Sequence, residues 1–422
     1  MYIKNLRINN LYGKDYDLYF NKKLTILYGL NGSGKTTILN IINNLSLGNV
    51  EELKKYKFSY IRCVINTNNY ESTIEIYKRD ELFTVEIDNR VVYESSERNE
   101  KHSLNFYSGE YAEIDSNKRI NTRTRENFGK QLDTIYLPID RKISGTALGF
   151  KSPKNRRMYA SNKTIEVANI DHSLKVAQAY FKDHRYFVKE TSSAIQNQIE
   201  RNMLEEMSLP VYEKINDLTE EQLSNLIQFY KKTFENKDIH RNIVNLINRY
   251  SKLKTKINGP DLYYISLQLN KLNNVMMKIA DQKKYLDNLE NTERDLMNEI
   301  NSYFIDTDKS IKYSKSTLSF SDALHFINKS DFDKEPLSLS YLSSGEKQLI
   351  ILLIFSILNI ETNKNEKIFM VDEPELSLHV AWQKRLLDTI LRYSKNTQII
   401  IATHSPDIIN GYYDYVYEVR GR

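Results

Sequence analysis

The chain has 422 residues, of which 40% are hydrophobic and 27% charged, with a formal net charge of +5 at pH 7 and one cysteine, Cys63. This composition is typical of a globular protein with two or three domains, and no run approaches the roughly 18 apolar residues that span a bilayer. The first ten residues lack the apolar core of a signal peptide, and no Cys/His cluster has zinc-ligand spacing. We therefore expect a cytoplasmic protein, and exclude a membrane-embedded subunit and a secreted protein.

Alternation of apolar and polar residues near the N-terminus, and the apolar run at 24–28, predict β-strands. The run leads into a glycine-rich octapeptide, Gly29-Leu30-Asn31-Gly32-Ser33-Gly34-Lys35-Thr36, and a helical pattern follows to residue 47. The octapeptide fits G-x-x-x-x-G-K-[ST] between a strand and a helix, which is the context of a phosphate-binding P-loop. Its glycines let backbone amides close around an anion, and the helix directs its positive end at the phosphates.

The P-loop pattern assigns roles to individual residues. Lys35 would reach the β- and γ-phosphates of a nucleotide, and the Thr36 hydroxyl would be a ligand of Mg²⁺. The predicted nucleotide-binding residues of this segment are Gly29, Asn31, Gly32, Ser33, Gly34, Lys35, Thr36 and Thr37.

Short alternating segments at 60–65, 72–77 and 82–87 predict an antiparallel meander, and 134–138 predicts a further strand. From about 165 to 303 the pattern is helical, with turn signals at Pro210 and Gly259-Pro260. An apolar stripe there predicts the seam of a helical bundle, formed by Ile265, Leu269, Leu272, Met276, Ile279 and Leu286. Short strands return after residue 305. We therefore divide the chain into 1–164, a helical insertion at 165–304, and 305–422.

The charge is unevenly distributed along the chain. Between Lys118 and Lys163, twelve basic residues stand against three acidic ones, a net charge of +9, so the rest of the chain is acidic. Such a stretch can attract nucleic-acid phosphates or an acidic partner, or it can be an ordinary solvated loop. Under the first reading, the arginines that would form the binding surface are Arg123, Arg125, Arg156 and Arg157.

Three further motifs lie in the last hundred residues. The apolar strand at 367–372 ends in two carboxylates, a Walker B pattern in which Asp372 can hold hydrated Mg²⁺ and Glu373 can polarise the attacking water. A second apolar strand, at 398–403, ends at His404. The third motif, Tyr341-Leu342-Ser343-Ser344-Gly345-Glu346-Lys347-Gln348, precedes an apolar helix. Each motif alone could be an ordinary strand end or helix cap without a catalytic role. Their order along the chain favours a role in nucleotide binding and hydrolysis.

The order of these motifs resembles that of soluble ABC-type ATPases of the RecF, SMC and OLD (overcoming lysogenization defect) kind. The tract from Asp372 to His379, with Trp382-Gln383, is similar to the RecF/OLD-like "AAA" ATPases of bacterial anti-phage systems such as Septu and PARIS. The resemblance implies an α/β fold: an ABC-type P-loop ATPase head with an antiparallel β-subdomain and a helical insertion.

The same resemblance implies the reaction and the partners. The reaction would be ATP hydrolysis with Mg²⁺, with Lys35, Glu373 and His404 as catalytic residues. Ser343 and the Gly345 amide would touch the γ-phosphate bound by the opposite subunit of a head-to-tail homodimer, either alone or within a larger ring. The biological role would be to sense phage infection and license a partner effector, commonly a nuclease.

Two other functions stay open at this point. One is a DNA-repair ATPase of RecF type, whose basic segment grips duplex DNA; the other is an ATP-locked scaffold that stores and releases a toxin. The sequence also departs from the ABC pattern after residue 137, where Asp140-Arg141-Lys142 replaces the expected glutamine and Gln131 precedes the strand. Tyr12 and Tyr16 are the candidates for an aromatic ring that stacks on adenine.

Overall fold

The computed structural model describes residues 1–66, 70–79, 82–96, 134–138, 144–145, 170–208, 217–233, 237–254, 259–313, 324–330, 335–361, 367–394 and 396–420. The chain divides into two compact units. The sheet unit comprises Met1–His184 and Arg294–Arg422, and the helical unit comprises Arg185–Glu293. The boundaries inferred from the sequence at 164/165 and 304/305 stay a prediction, since the first lies outside the described residues.

The elements up to the helical unit are β1 (Tyr2–Leu11), β2 (Lys14–Tyr19), β3 (Leu24–Tyr28), α1 (Lys35–Leu47), α2 (Val50–Lys54), β4 (Tyr60–Asn66), β5 (Glu71–Arg79), β6 (Leu82–Ile87), β7 (Arg90–Ser96), β8 (Thr134–Leu137) and β9 (Ser144–Gly145). The following helices are α3 (Ile170–Ser208), α4 (Glu220–Thr233), α5 (Lys237–Lys254) and α6 (Pro260–Tyr303). The remaining elements are β10 (Lys309–Tyr313), β11 (Leu324–Asn328), β12 (Leu337–Ser338), α7 (Ser344–Glu361), β13 (Lys367–Asp372), α8 (Val380–Tyr393), β14 (Thr397–Thr403), α9 (Pro406–Ile409) and β15 (Val416–Glu418).

The centre of the sheet unit is a six-stranded sheet in the order β15-β3-β14-β13-β8-β9. Its first five strands run parallel, and only β9 pairs antiparallel with its neighbour. The carboxyl ends of parallel strands lie at the same edge of a sheet, where open α/β folds bind their ligands. The segments that follow β3, β13 and β14 therefore share one edge.

Strict alternation along these central strands fills the two faces of the parallel sheet with two separate hydrophobic cores. On β13 and β14, one set of residues packs with α7 and α8: Phe369, Val371, Ile399 and Ile401. The alternate set packs with α1 and the first strands of the chain: Ile368, Met370, Ile400 and Ala402. Between Leu349 and Leu358, helix α7 is apolar on every face except at Ser356, and this run is buried throughout.

A second six-stranded sheet is antiparallel, in the order β2-β1-β4-β5-β6-β7. It contains the predicted meander and one strand that the alternation pattern does not predict, β7, which follows a tight turn where Asp88 and Asn89 have φ of 50° and 63°. Gln398 of β14 joins the two sheets, because its amide donates to the Ile3 carbonyl and accepts from the Ile3 amide, both at 2.8 Å. A third, three-stranded sheet is formed by β10, β11 and β12.

The helical unit contains α4, α5 and parts of α3 and α6. The apolar stripe predicted on α6 is its seam: Ile265, Leu269 and Met276 are buried in one cluster with residues of α4 and α5, while Ile279 and Leu286 are buried in a second cluster with Ile195 of α3. The turn signal at Gly259-Pro260 lies where α6 begins. The predicted α/β class, with an antiparallel β-subdomain and a helical insertion, is confirmed. Among the described helices, none is both long and apolar enough to cross a membrane.

Candidate active site

Strand register brings three predicted motifs together at the carboxyl edge of the parallel sheet. Tyr28, which precedes the P-loop, is the register partner of Thr403, which precedes His404. Asp372 is the register partner of Ala402 on the other side of the same strand. We call the segments after β3, β13 and β14 the sheet edge. The sequence predicts these motifs one by one, and the parallel order of their strands places them side by side.

Backbone geometry explains the glycines of the P-loop. Gly32 and Gly34 have φ of 79° and 99°, values that side chains with a Cβ rarely adopt. A Cβ at Gly34 would also lie 2.9 Å from the hydroxyl of Tyr16, which donates to the Ser33 carbonyl at 3.1 Å. Tyr16 therefore supports the loop from the protein side. It is buried, whereas Tyr12 is exposed, so only Tyr12 presents a free ring for the predicted adenine stacking.

The P-loop has no acidic neighbour in the first turn of the helix that follows it. Gly34 is the N-cap of α1 without a side-chain cap, and the first turn of α1 has no acidic residue. The positive end of the helix is thus left for an anionic ligand. Asn31 and Gly32 are exposed, while Ser33, Gly34, Thr36 and Thr37 are half-buried.

Lys35 is folded back over the loop. Its side chain is almost fully buried, and its Nζ donates to the carbonyls of Gly29 and Leu30 at 2.7 and 3.2 Å. Backbone carbonyls are weaker partners for an ammonium group than phosphate oxygens are, because hydrogen bonds between two ionised groups are the stronger class. The ammonium is therefore held where a nucleotide phosphate could take it over.

Asp372 is 1% exposed, and neither carboxylate oxygen has a well-formed hydrogen bond within the described part of the chain. Burial raises the pKa of Asp372 to about 7, and Glu373 and Glu375 add to the rise. The Thr36 hydroxyl and Lys35 oppose it. A buried carboxylate beside a hydroxyl and the P-loop is a donor set that Mg²⁺ takes when phosphate oxygens and water complete its shell. The residues present therefore fit a magnesium ion that arrives with a nucleotide.

Glu373 follows directly, in an unusual backbone conformation. Its φ is 45°, and its amide donates to the Ala402 carbonyl at 2.8 Å, which extends the pairing of β13 and β14 by one residue. Its Oε1 lies 3.3 Å from Nδ1 of His404, and the imidazole is partly exposed. The structure thus places a carboxylate and an imidazole next to each other beyond the buried Asp372, an arrangement suited to proton transfer from a water molecule.

The loop before α7 is built as a capping box. The Ser343 amide donates to Oε2 of Glu346 at 2.7 Å, and the Glu346 amide donates to the Ser343 hydroxyl at 3.3 Å. Lys309 holds the Glu346 carboxylate at 2.9 Å from both oxygens. Although burial acts in the opposite direction, the hydrogen bonds from Lys309 and Ser343 keep the pKa of Glu346 below its usual value. Ser343 itself stays exposed at the end of the helix.

Gly345 has an additional structural reason to be glycine. A Cβ at this position would lie 2.1 Å from the carbonyl oxygen of Ser377, in the loop after β13. Ser377 also has a left-handed conformation, with φ of 66°. The motif before α7 is therefore packed tightly against the segment that follows Glu373 in the same chain, a contact that sequence spacing does not reveal.

Sequence reasoning missed Glu375 and Gln383, which connect the loop after β13 to the loop after β14. Gln383 accepts from the Ser405 hydroxyl at 2.9 Å and donates to the Leu378 carbonyl at 3.0 Å. Both residues lie in the tract 372–383 that carries the family resemblance. The sequence therefore marks this tract, but it does not indicate that these two side chains link the loops. Asp140, Gln131 and the basic segment 118–163, apart from 134–138 and 144–145, lie outside the described residues.

Comparisons with known proteins agree with this geometry. A family model described as an AAA ATPase domain matches residues 1–409. The Retron Vc95 probable ATPase of Vibrio cholerae is 24% identical over 439 residues, covering 96% of this chain and 71% of that protein. The Retron Ec83 probable ATPase of Escherichia coli is 27% identical over 144 residues, 30% of this chain and 26% of that protein. The DNA replication and repair protein RecF of Clostridium acetobutylicum is 30% identical over 173 residues, 41% of this chain and 40% of RecF.

Among solved structures, an SMC head bound to the C-terminal winged-helix domain of ScpA aligns with 97% of this chain and 91% of its own, with a TM-score of 0.43 and 14% identity. Of the curated relatives, the chain matches only 26% of the length of the Ec83 ATPase and 40% of the length of RecF. The family model, by contrast, covers nearly the whole chain, including the P-loop, the carboxylates after β13 and His404. The protein therefore belongs to the AAA ATPase domain family.

Proposed function

We propose that this ATPase is the sensor and regulatory subunit of a bacterial anti-phage defence complex, in which its nucleotide state controls a partner effector such as a nuclease or toxin. The retron ATPases support the proposal, since one of them aligns with 96% of this chain. The tract 372–383 supports it separately through its resemblance to the ATPases of anti-phage systems. The observation that carries the enzymatic part is the sheet edge, which gathers Lys35, Asp372, Glu373 and His404.

Each residue of the sheet edge has a proposed part in hydrolysis. Lys35 would exchange the carbonyls of Gly29 and Leu30 for the β- and γ-phosphates. Mg²⁺, which neutralises phosphate charge when bound with the nucleotide, would be held by Thr36 and Asp372. Glu373 would accept the proton of the water that attacks the γ-phosphorus, while His404 would contact the γ-phosphate.

A second copy of the chain would complete the site. Ser343 is exposed at the N-terminus of α7, where a helix dipole favours an anion, and it would meet the γ-phosphate of the opposite subunit. The two motifs that would face each other also carry exposed apolar side chains, since Leu30 is 84% exposed and Tyr341 77% exposed. Burial between subunits would remove this apolar surface from water. We therefore propose a head-to-tail dimer, alone or within a larger ring.

Mixing two inactive variants tests the composite site. Lys35→Ala leaves the signature loop intact, and Ser343→Arg leaves the P-loop intact, so a mixed dimer has one wild-type site. If subunits exchange at random, half of the dimers are mixed, and we expect about a quarter of the wild-type ATPase rate from a two-fold symmetric dimer. Lys35→Ala mixed with Glu373→Gln is the matched control, because both changes disable the P-loop side and neither mixed site is intact. Recovery in the control pair, or none in the test pair despite proven mixed dimers, would overturn the composite site.

The effector is tested by infection and by co-purification. Cells carrying the gene with its neighbours should restrict phage plaques, and Glu373→Gln should abolish restriction while trapping the effector on the ATPase. Turnover that is absent in the purified wild-type complex would favour the ATP-locked scaffold. Phage sensitivity unchanged by deletion of the gene would contradict the defence role.

The similarity to RecF over 173 residues favours a second candidate, a DNA-repair ATPase. Under this function, duplex DNA affinity should fall steeply with salt, and changing Arg123, Arg125, Arg156 and Arg157 to Glu should weaken it and flatten the salt dependence. ATP binding should survive, because none of the four lies in a nucleotide motif. Equal DNA binding before and after charge reversal would leave the basic segment as a solvated loop.

A further inference from the structure

Glu375 is a buried carboxylate that the proposed chemistry does not use. Its side chain is 5% exposed, and one oxygen, Oε1, is surrounded by groups from three consecutive residues. It accepts from the Thr403 hydroxyl at 2.5 Å, from the His404 amide at 3.0 Å and from the Ser405 amide at 3.2 Å. A carboxylate oxygen that accepts several hydrogen bonds at once restrains the donor groups strongly, because hydrogen bonds to ionised acceptors are about twice as strong as those to neutral ones.

The same oxygen also reaches the imidazole of His404. Nδ1 of His404 lies 3.3 Å from Oε1 of Glu375 and 3.3 Å from Oε1 of Glu373. Two carboxylate oxygens on one side of the ring favour a hydrogen on Nδ1 and restrain rotation of the ring. Nε2 is then the nitrogen that is left for a ligand.

We infer that Glu375 is a positioning residue for ATP hydrolysis, which sets the backbone at 403–405 and the orientation of the His404 imidazole. The inference rests on the proposed role of His404 at the γ-phosphate. Glu375 would act through His404, because its Oε1 already accepts from the Thr403 hydroxyl and from the amides of His404 and Ser405.

The structural setting indicates why a carboxylate is kept at this position. Burying a charged group is unfavourable unless hydrogen bonds offset the loss of water, and here one oxygen is saturated while the other is not. A purely structural link between the loops already exists in Gln383, which bonds Ser405 and the Leu378 carbonyl. The negative charge of Glu375 is therefore not needed to link the two loops. It lies beside the imidazole of His404, which it can orient.

The test is a double-mutant cycle on purified full-length protein, with kcat, ATP affinity and unfolding measured for each variant. Glu375→Ala should lower kcat roughly 10- to 100-fold, the range found when partners that orient metal-binding side chains are removed, and His404→Ala should lower kcat by at least as much. ATP affinity should stay within about twofold, since neither residue lies in the P-loop. Because Glu375 acts through His404, the double variant should be no slower than His404→Ala alone.

Two further variants separate positioning from folding. Glu375→Gln keeps an acceptor oxygen for the 403–405 donors but loses the charge, so it should fold, should lower kcat less than Glu375→Ala, and should have no effect in the His404→Ala background. Glu299→Ala is the matched control: Glu299 is equally buried in the same unit, and its carboxylate binds Thr389, Arg392 and Tyr393. It should lower stability and leave kcat per folded molecule unchanged.

The outcomes distinguish this inference from the proposed function. If His404→Ala keeps wild-type kcat, the role of His404 fails and the positioning role fails with it. If His404→Ala is slow but both Glu375 variants hydrolyse ATP at the wild-type rate, only the positioning role is wrong. Multiplying effects in the double variant, or a kcat loss in Glu299→Ala equal to that in Glu375→Ala, would also overturn it.

Discussion

The sheet edge and the seam of the helical unit are held together by opposite kinds of contact. At the sheet edge, charged side chains are buried: Lys35, Asp372 and Glu375 are all less than a tenth exposed. In the helical unit the buried seam is almost entirely apolar, formed by residues such as Leu226, Leu269 and Ile279. Two of its ion pairs, Asp238–Arg241 and Asp217–Lys254, lie at the surface, where such pairs contribute little to stability, while Arg185–Glu293 is half-buried.

This difference indicates that the sheet edge, unlike the helical seam, has features that lower stability and serve the reaction. Apolar burial stabilises roughly in proportion to the area removed from water, whereas a buried charge is unfavourable unless it is fully paired. The sheet edge also contains two non-glycine residues with positive φ, Glu373 and Ser377. Strained backbone and underpaired charge concentrate at functional sites because selection maintains them there. The helical unit shows neither feature among its described residues.

The sharpest test of the sheet edge is Glu373→Gln. The amide can hold a water molecule but cannot accept its proton, so kcat should fall about 10²- to 10⁴-fold, the range for loss of a general base. ATP should still bind, and unfolding should change little, because Glu373 is half-buried and its backbone pairing is retained. Steady-state turnover and nucleotide retention after gel filtration measure the two effects. Hydrolysis at the wild-type rate would show that another group is the base.

The corresponding test of the helical unit is Leu269→Ala. Leu269 is fully buried in the α4–α5–α6 cluster, so truncation should lower the free energy of unfolding by about 2–5 kcal/mol. Met277→Ala on the same helix is the matched control, because Met277 is exposed and its loss should be nearly neutral. Urea unfolding followed by circular dichroism measures both. ATP affinity should be unchanged in each, and a loss of affinity in Leu269→Ala would break the contrast between the two regions.

The same contrast explains how much could be predicted from the sequence. The P-loop could be recognised because its signal is local: glycines at fixed spacing, a lysine and a threonine between a strand and a helix. The α6 seam could be predicted from its period. The contacts of Glu375 with 403–405 and of Gly345 with Ser377 could not, because they join segments about thirty residues apart through the order of strands in the sheet. Strand β7 was missed because its residues do not alternate cleanly.

Removing the buried carboxylate of Asp372 should raise the free energy of unfolding, whereas truncation of Leu269 lowers it, and the size of this gain should depend on pH. Burial raises the pKa of Asp372 to about 7 in the folded protein, while an unfolded aspartate titrates near 4. Between these values the folded state keeps a proton that the unfolded state loses, so stability falls as pH rises through this window. Asp372→Asn should therefore stabilise the nucleotide-free protein by on the order of 1–3 kcal/mol at pH 8, and by less at pH 5.

Urea unfolding of Asp372→Asn and wild type at the two pH values measures this effect, and ATPase assays should show the variant to be inactive. Greater stability with lost turnover would mark Asp372 as a residue kept for function at the expense of the fold. An unchanged or lower stability at pH 8 would mean that Thr36 and Lys35 already compensate the buried carboxylate.

The smallest expected effects come from one local motif that occurs in both the sheet unit and the helical unit. Thr219 and Gln222 form a capping box at the start of α4 in the helical unit, with hydrogen bonds of 2.9 and 3.2 Å, and Ser343 and Glu346 form the same box at the start of α7. Thr219→Ala and Ser343→Ala should each lower the free energy of unfolding by about 1 kcal/mol.

Asparagine separates the cap from the chemistry at both positions. It caps a helix as well as serine does, so Thr219→Asn and Ser343→Asn should both unfold close to the wild-type midpoint. Only Ser343→Asn should lower kcat, because the exposed Ser343 hydroxyl is proposed to meet the γ-phosphate of the opposite subunit, whereas Thr219 only begins a helix. If Ser343→Asn hydrolyses ATP at the wild-type rate, Ser343 is a cap and nothing more. The two capping boxes would then be equivalent, and the chemistry of the sheet unit would be confined to the segments after β3, β13 and β14.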